Sequence, residues 1–184
     1  MYAILLSAVL VFVAELGDKS QLLSMSFTTR FRSRTVILGA SLACAAINLV
    51  SALAGGLLAD VLPRDAMRIA GGVLFLLFAV LALRSGTADG EEPPSRERGG
   101  RAVTVVAVAF TLSEIGDKTM LATMTLATQH PWLLVWIGST IGMIASIVLA
   151  VLVGRTLLQV IPMRFVHLVS AALFAAVGVL LLLG

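Results

Sequence analysis

Residues 13–23 read VAELGDKSQLL, and residues 112–122 read LSEIGDKTMLA. The first stretch follows AILLSAVLVFVA (residues 3–14), where only Ser7 is polar, so Glu15, Asp18 and Lys19 break into a hydrophobic run. Ionisable groups inside such a run are expensive in lipid and are functional candidates by default. Sliding the chain against itself by 99 residues pairs Glu15 with Glu114, Gly17 with Gly116, Asp18 with Asp117 and Lys19 with Lys118. Without a gap, the same shift pairs Gly39 with Gly138, Gly55 with Gly154, Pro63 with Pro162 and Leu74-Phe75 with Leu173-Phe174. Over residues 15 to 83, 20 of 69 positions are identical. Leucine- and valine-rich helices coincide by chance, but a charged tetrad inside them does not. The chain is therefore read as a duplication.

Composition sets the solvent. Of the 184 residues, 59% are hydrophobic and 12% charged, with a mean hydropathy of +1.06. Soluble domains carry about a quarter charged residues, so this chain has too little polar surface to cover a globule in water and belongs in a bilayer. Apolar segments of the roughly 20 residues that cross a hydrocarbon core fall at about 3–27, 36–62, 66–84, 102–127, 132–158 and 164–183. Helices are expected throughout, because a helix satisfies its own backbone in lipid. The stretch RSGTADGEEPPSRERGGR (84–101) is rich in Gly, Pro and charge and reads as a solvated linker. The expected organisation is an all-α integral membrane protein with repeats at 1–84 and 102–184 joined by a linker at 85–101. The N-terminal run lacks a basic flank and a clear cleavage site, so it reads as a retained first helix.

Three spans per repeat is an odd number, so the second repeat enters the membrane from the opposite side. Two inverted-topology three-helix repeats result, an arrangement common among secondary transporters. Arginines set the orientation. Arg30, Arg32, Arg34, Arg84, Arg96, Arg98, Arg101, Arg155 and Arg164 fall on one side, and Arg64 and Arg68 on the other. The positive-inside rule then makes the linker cytoplasmic and puts both termini outside. The same distribution assigns the sequence pI of 9.8 to topology, with no nucleic acid implied.

Each motif lies near the middle of its span. At about 100° per residue, an unbroken helix gathers Glu15, Asp18 and Lys19 on one stripe, and Glu114, Asp117 and Lys118 likewise. Gly17 and Gly116 allow either close helix approach or a local break. Four carboxylates and two lysines leave a formal −2, which one divalent cation or two protons would neutralise. The ligand set is oxygen: Glu15, Asp18, Glu114 and Asp117, supported by Ser20, Thr119, Gln21 and the lysines Lys19 and Lys118. Oxygen donors suit Ca²⁺, Mn²⁺ or Mg²⁺, and no histidine or cysteine is near either motif in sequence.

Two copies of E-x-G-D-K-[S/T], each opening one half of a six-span hydrophobic chain, resemble the Gdt-one family of cation/proton exchangers. The resemblance covers nearly the whole chain. It implies that Glu15, Asp18, Glu114 and Asp117 are the cation-site acids, and that the chain is a proton-driven bacterial manganese exporter of the inner membrane. Mn²⁺ or Ca²⁺ is then a transported substrate beside protons, with no permanently bound cofactor, and a homo-oligomer is compatible with it. Family members often carry Gln after the Ser/Thr. Gln21 fits, whereas Met120 departs and suggests unequal halves or a thioether near the metal.

Other readings follow from the same residues. An exporter of amino acids or other small organic cations is the alternative, since an acidic midplane also binds an ammonium group. An enzyme is not expected, as neither HExxH nor GxSxG occurs. Asn48, whose partner under the shift is Ile147, reads as an interhelical hydrogen-bonding residue, and Ser51, Ser139, Thr140 and Ser146 as packing residues. Cys44 reads as a small core hydrophobe, His130 and His167 as interfacial residues, and Trp132 and Trp136 as an interfacial belt.

Overall fold

The computed structural model describes residues 1–28, 30–84, 100–160 and 163–183. All regular structure among them is helical: α1 (Tyr2–Glu15), α2 (Lys19–Thr28), α3 (Ser33–Val61), α4 (Arg64–Arg84), α5 (Gly100–Glu114), α6 (Lys118–Gln129), α7 (Trp132–Val160) and α8 (Met163–Leu183). Ser33–Val61, Asp65–Leu83 and Trp132–Leu152 are each long and apolar enough to cross a membrane, and Tyr2–Glu15 and Leu168–Leu183 are shorter apolar helices. Most of the expected linker, residues 85–99 with Arg96 and Arg98, lies outside the described residues, as does Pro162.

The segments read as single spans at about 3–27 and 102–127 are each two helices, broken at the motif. Gly17 and Gly116 sit at φ +73° and +77°, a left-handed conformation that costs L-residues with a side chain about 1–2 kcal/mol. Just before the first break, Leu16 is already extended at ψ 120°. The stripe expected from an unbroken helix therefore does not form. Glu15 closes α1, and Asp18 stands ahead of α2.

Packing joins the halves. α1 lies on α7, α5 lies on α3, α4 lies on α8, and the long helices α3 and α7 lie against each other. Contacts repeat at the 99-residue shift. A Cβ on Gly39 would meet the Val103 carbonyl at 2.8 Å and Val106, while one on Gly138 would meet the Ile4 carbonyl and Ser7, the residues 99 positions earlier. Further along, Gly55 of α3 abuts the Met124 carbonyl and Ala127 of α6. α3 thus runs in the same direction as the broken pair α5–α6. α4 and α8 run antiparallel: Gly72 faces Gly178, and the Phe75 and Phe174 rings stand 5.9 Å apart.

Beside the breaks the core is aromatic on one side and aliphatic on the other. Phe27 of α2 and Phe110 of α5 are buried with ring centroids 6.4 Å apart. Their counterparts at the 99-residue shift, Leu126 and Val11, are equally buried. Trp136 ties α7 to α3: its indole N–H donates to the Ala45 carbonyl at 3.0 Å.

Candidate functional site

The breaks bring the ends of four helices together. α1 and α5 arrive carrying Glu15 and Glu114 on their last residues, and α2 and α6 leave from Asp18 and Asp117. Helix N-termini concentrate positive dipole and C-termini leave carbonyls without helical partners, so such a junction can address both a cation and the carboxylates that hold it.

Glu15 and Glu114 are each 1% exposed. One oxygen of Glu15 accepts from the Ser20 hydroxyl, and one oxygen of Glu114 accepts from Thr119 at 3.3 Å. The remaining oxygen of each is buried with no hydrogen-bond partner, as is Oδ2 of Asp117. A buried, unanswered carboxylate oxygen is costly. The same three residues gather: Glu15, Glu114 and Asp117 each offer one carboxylate oxygen within 4.8 Å of the others.

The lysines cross between the halves. Lys118 Nζ is 2.7 Å from Asp18 Oδ2, and Lys19 Nζ is 3.8 Å from Asp117 Oδ1. Each aspartate is thus paired with the lysine of the other motif, while the two glutamates have only hydroxyl partners. Asp18 stands outside the three-carboxylate group, on Lys118. A cavity of about 390 Å³ reaches Asp18, Gly116, Asp117 and Lys118 past Phe78, Leu81 and Ala82 of α4. A second depression, of about 530 Å³, lies at the C-terminal ends of α3 and α6, lined by Asp60, Gln129, His130 and Trp132 among others. Burial pushes the His130 imidazole toward its neutral form.

Gln21 and Met120 do the same local work with different atoms. The Gly17 N–H donates to Gln21 Oε1 at 2.9 Å, and the Gly116 N–H reaches Met120 Sδ at 3.3 Å. Each side chain answers the amide of its positive-φ glycine, so the Met120 thioether is engaged by the backbone. The halves do differ at the second arm, because Gln21 Nε2 also donates to Ser146 Oγ at 3.0 Å.

In the other half a hydroxyl network takes that place. Thr123 Oγ1 reaches Ser139 Oγ at 3.1 Å and Asn48 Oδ1 at 3.5 Å, and Asn48 Nδ2 reaches Met143 Sδ at 3.7 Å. Asn48 is the interhelical residue the sequence suggests. Ser139 and Ser146 carry specific bonds beyond packing, whereas Ser51 donates to the Ile47 carbonyl of its own helix. Thr140 Oγ1 and, 99 positions earlier, Ser41 Oγ are buried without partners.

Cys44 is buried in the hydrophobic core, as the sequence suggests, and stands outside the three-carboxylate group. Its partner under the 99-residue shift is Met143, also buried.

Among known proteins, the family model for the divalent cation/proton antiporter GDT1 matches residues 3–90 and 102–184. A Vibrio cholerae protein, described by its name as a candidate manganese exporter, is 36% identical over 177 residues, covering 95% of this chain and 87% of its own length. A GDT1-like protein of Synechocystis is 29% identical over 184 residues, covering 90% of this chain and 89% of its own. A GDT1-like protein of Schizosaccharomyces pombe is 24% identical, covering 95% and 87%. No solved structure matches the chain.

Proposed function

Because the chain belongs to the GDT1 family of divalent cation/proton antiporters, an integral membrane transporter family and not an enzyme, we propose that it exports Mn²⁺ from the cytoplasm in exchange for protons. The site is the cluster of Glu15, Asp18, Glu114 and Asp117, and Ca²⁺ is a second substrate of the same chemistry. The observation that carries this reading is the convergence of carboxylates from both broken helices, each with a buried oxygen that has no hydrogen-bond partner. Hard oxygen donors at such spacing suit one small divalent ion, and the relative named as a candidate manganese exporter favours Mn²⁺.

The crossed pairs sharpen the charge arithmetic. Asp18 with Lys118 and Asp117 with Lys19 are internally balanced, so the formal −2 resides on Glu15 and Glu114. One divalent cation bound between them, or one proton on each, neutralises the site. Alternation between those states is a two-for-one exchange. Ser20 and Thr119 orient the glutamates, and Gln21 and Met120 hold the two glycine turns.

The architecture in this proposal is six membrane passages in two inverted repeats, residues 1–84 and 102–184, with the broken first and fourth passages meeting at the site. Support comes from the shared direction of α3 and α5–α6 and from contacts repeated at the 99-residue shift. With the arginine-rich side cytoplasmic, the linker faces the cytoplasm and both termini face outside, in the inner membrane of a bacterium. The cavity beside Phe78, Leu81 and Ala82, near the Arg84 end of α4, then serves as the loading route. The depression at Asp60 and His130 serves release.

The test is Mn²⁺ flux into proteoliposomes of purified protein under an imposed pH gradient, with Glu15→Gln and Glu114→Gln alongside. Gradient-dependent flux that both substitutions abolish is expected. Flux indifferent to the gradient refutes the exchange, and full flux in either variant refutes the site.

A further inference from the structure

Along α6 a line of polar groups leads away from the break. Thr119 donates to Glu114 at the break. Thr123, one turn further on, reaches Ser139 of α7 at 3.1 Å and Asn48 of α3 at 3.5 Å. Ala127, one turn beyond that, lines the depression that holds Asp60 and His130. Hydroxyl and amide oxygens thus extend from the carboxylates to within four residues of the depression, about 6 Å of helical rise. Thr123, Ser139 and Asn48 come from three different helices and are all buried.

Two observations set this group apart from ordinary helix glue. Asn48 is 1% exposed, yet the two contacts of its amide are long, 3.5 Å to Thr123 and 3.7 Å to Met143 Sδ. Well-made hydrogen bonds of this kind run at about 2.7–3.2 Å, so the amide is loosely held and free to exchange partners. The duplication also does not repeat the group. At the 99-residue shift, Ile147 stands for Asn48, Ala40 for Ser139 and Phe31 for His130. Ser24, the counterpart of Thr123, donates to the Ser20 carbonyl of its own helix. Phe27 packs there between Phe31 and Phe110. The same helix contacts are therefore built without the polar groups, and packing alone does not call for them.

We propose that Asn48, Thr123 and Ser139 line the passage by which the cation moves between the carboxylates and the depression, replacing part of its water shell on the way. This rests on the carboxylate-site reading above. An amide carbonyl and two hydroxyls are hard oxygen donors that suit Mn²⁺ or Ca²⁺. Being uncharged, they let the ion go again, as passage requires. Polar groups buried within a span characteristically mark ion pathways. The passage is shut in this structure: Thr123 and Ser139 are fully buried, and Gly55 of α3 abuts the Met124 carbonyl and Ala127 of α6 just beyond them. Parting α3 from α6 at that contact opens it. The other half has aromatic rings in the corresponding place, so the two faces of the site are reached by unlike routes.

The experiment measures Mn²⁺ binding to purified full-length protein and Mn²⁺ flux into proteoliposomes for Thr123→Val, Thr123→Ser, Asn48→Leu and Glu15→Gln. Thr123→Val and Asn48→Leu should bind Mn²⁺ within about twofold of wild type while flux falls about tenfold, the scale of one lost bond to a charged group. Thr123→Ser keeps the hydroxyl and should keep most of the flux. Water access is read separately with Thr123→Cys and Ser24→Cys, each in a Cys44→Ala background, since Cys44 is the single cysteine. A charged, water-soluble thiol reagent should modify Thr123→Cys and leave Ser24→Cys unmodified.

Full flux in Thr123→Val and Asn48→Leu overturns the proposal. So does Mn²⁺ binding that falls in step with flux, which marks a purely supporting role, and so does an equal loss of flux in Thr123→Ser and Thr123→Val. Should the valine and leucine variants not fold, the thiol reaction decides: no modification of Thr123→Cys, or equal modification of Ser24→Cys, overturns the passage. Mn²⁺ binding lost in Glu15→Gln beside normal flux in the passage variants defeats this inference and leaves the carboxylate reading standing. Mn²⁺ binding indifferent to Glu15→Gln defeats the carboxylate reading instead.

Discussion

Gly116 offers a clean probe of why α5 and α6 are separate helices. Its φ is +77°, and a Cβ built there meets nothing within 4 Å. Gly116→Ala therefore introduces no clash, and its whole effect is conformational. Holding alanine in the left-handed region costs about 1–2 kcal/mol. The smaller conformational freedom of alanine in the unfolded chain returns about 0.4–1 kcal/mol, so the net loss is on the order of 1 kcal/mol. For a chain of this size that is a fall of about 2–4 °C in apparent melting temperature.

Transport should suffer more than stability. Alanine also favours continuous helix by roughly 1 kcal/mol over glycine, so the same substitution pulls Glu114 and Asp117 toward an unbroken α5–α6 in which they no longer meet Glu15. Together these biases, about 2 kcal/mol, correspond to roughly a twenty- to thirtyfold fall in Mn²⁺ flux, taking 1.4 kcal/mol per factor of ten. Gly116→Asn is the control, because asparagine tolerates the left-handed region and has lower helix propensity. It should melt and transport closer to wild type. Thermal unfolding in detergent and flux in proteoliposomes read both effects. Alanine matching wild type in both assays, or asparagine faring worse than alanine, refutes the account of the break.

Two further outcomes follow from the site. Lys118→Gln removes the closer of the crossed partners, 2.7 Å from Asp18 against 3.8 Å for Lys19 and Asp117. It should lower the melting temperature without metal more than Lys19→Gln does, while Mn²⁺ restores a larger share of it; equal behaviour of the two variants contradicts the assigned geometry. Met120→Gln keeps an acceptor for the Gly116 N–H and should be neutral within about 1 kcal/mol, whereas Gln21→Ala strands both Gly17 N–H and Ser146 and should lose about 1–3 kcal/mol. Thermal unfolding distinguishes them, and a ranking in the reverse order removes the turn-holding role.

The duplicated tetrad was legible because charge inside an apolar run is conspicuous and a fixed 99-residue offset leaves little room for coincidence. The break was only half legible. Gly17 and Gly116 permit either close packing or a left-handed turn, and the choice depends on what lies against them, which includes the reach of Gln21 and Met120 back to the glycine amides. The crossed lysines were not legible, since within one motif each lysine stands beside its own aspartate in sequence and only the meeting of the halves exchanges the partners.

The unlike residues on the two sides of the breaks bear on where such a carrier spends its time. Parting α2 from α5 separates the Phe27 and Phe110 rings, whose mutual preference adds about 0.5–1.5 kcal/mol beyond burial. The positions 99 residues away, Val11 and Leu126, have no such term. In the exchanger proposed above, a movement that parts α2 from α5 would work against this extra preference, and one that parts Val11 from Leu126 would not, which biases the resting state by a factor of roughly 2 to 12 at 1.4 kcal/mol per decade. Such a bias sets waiting times and leaves direction to the gradients.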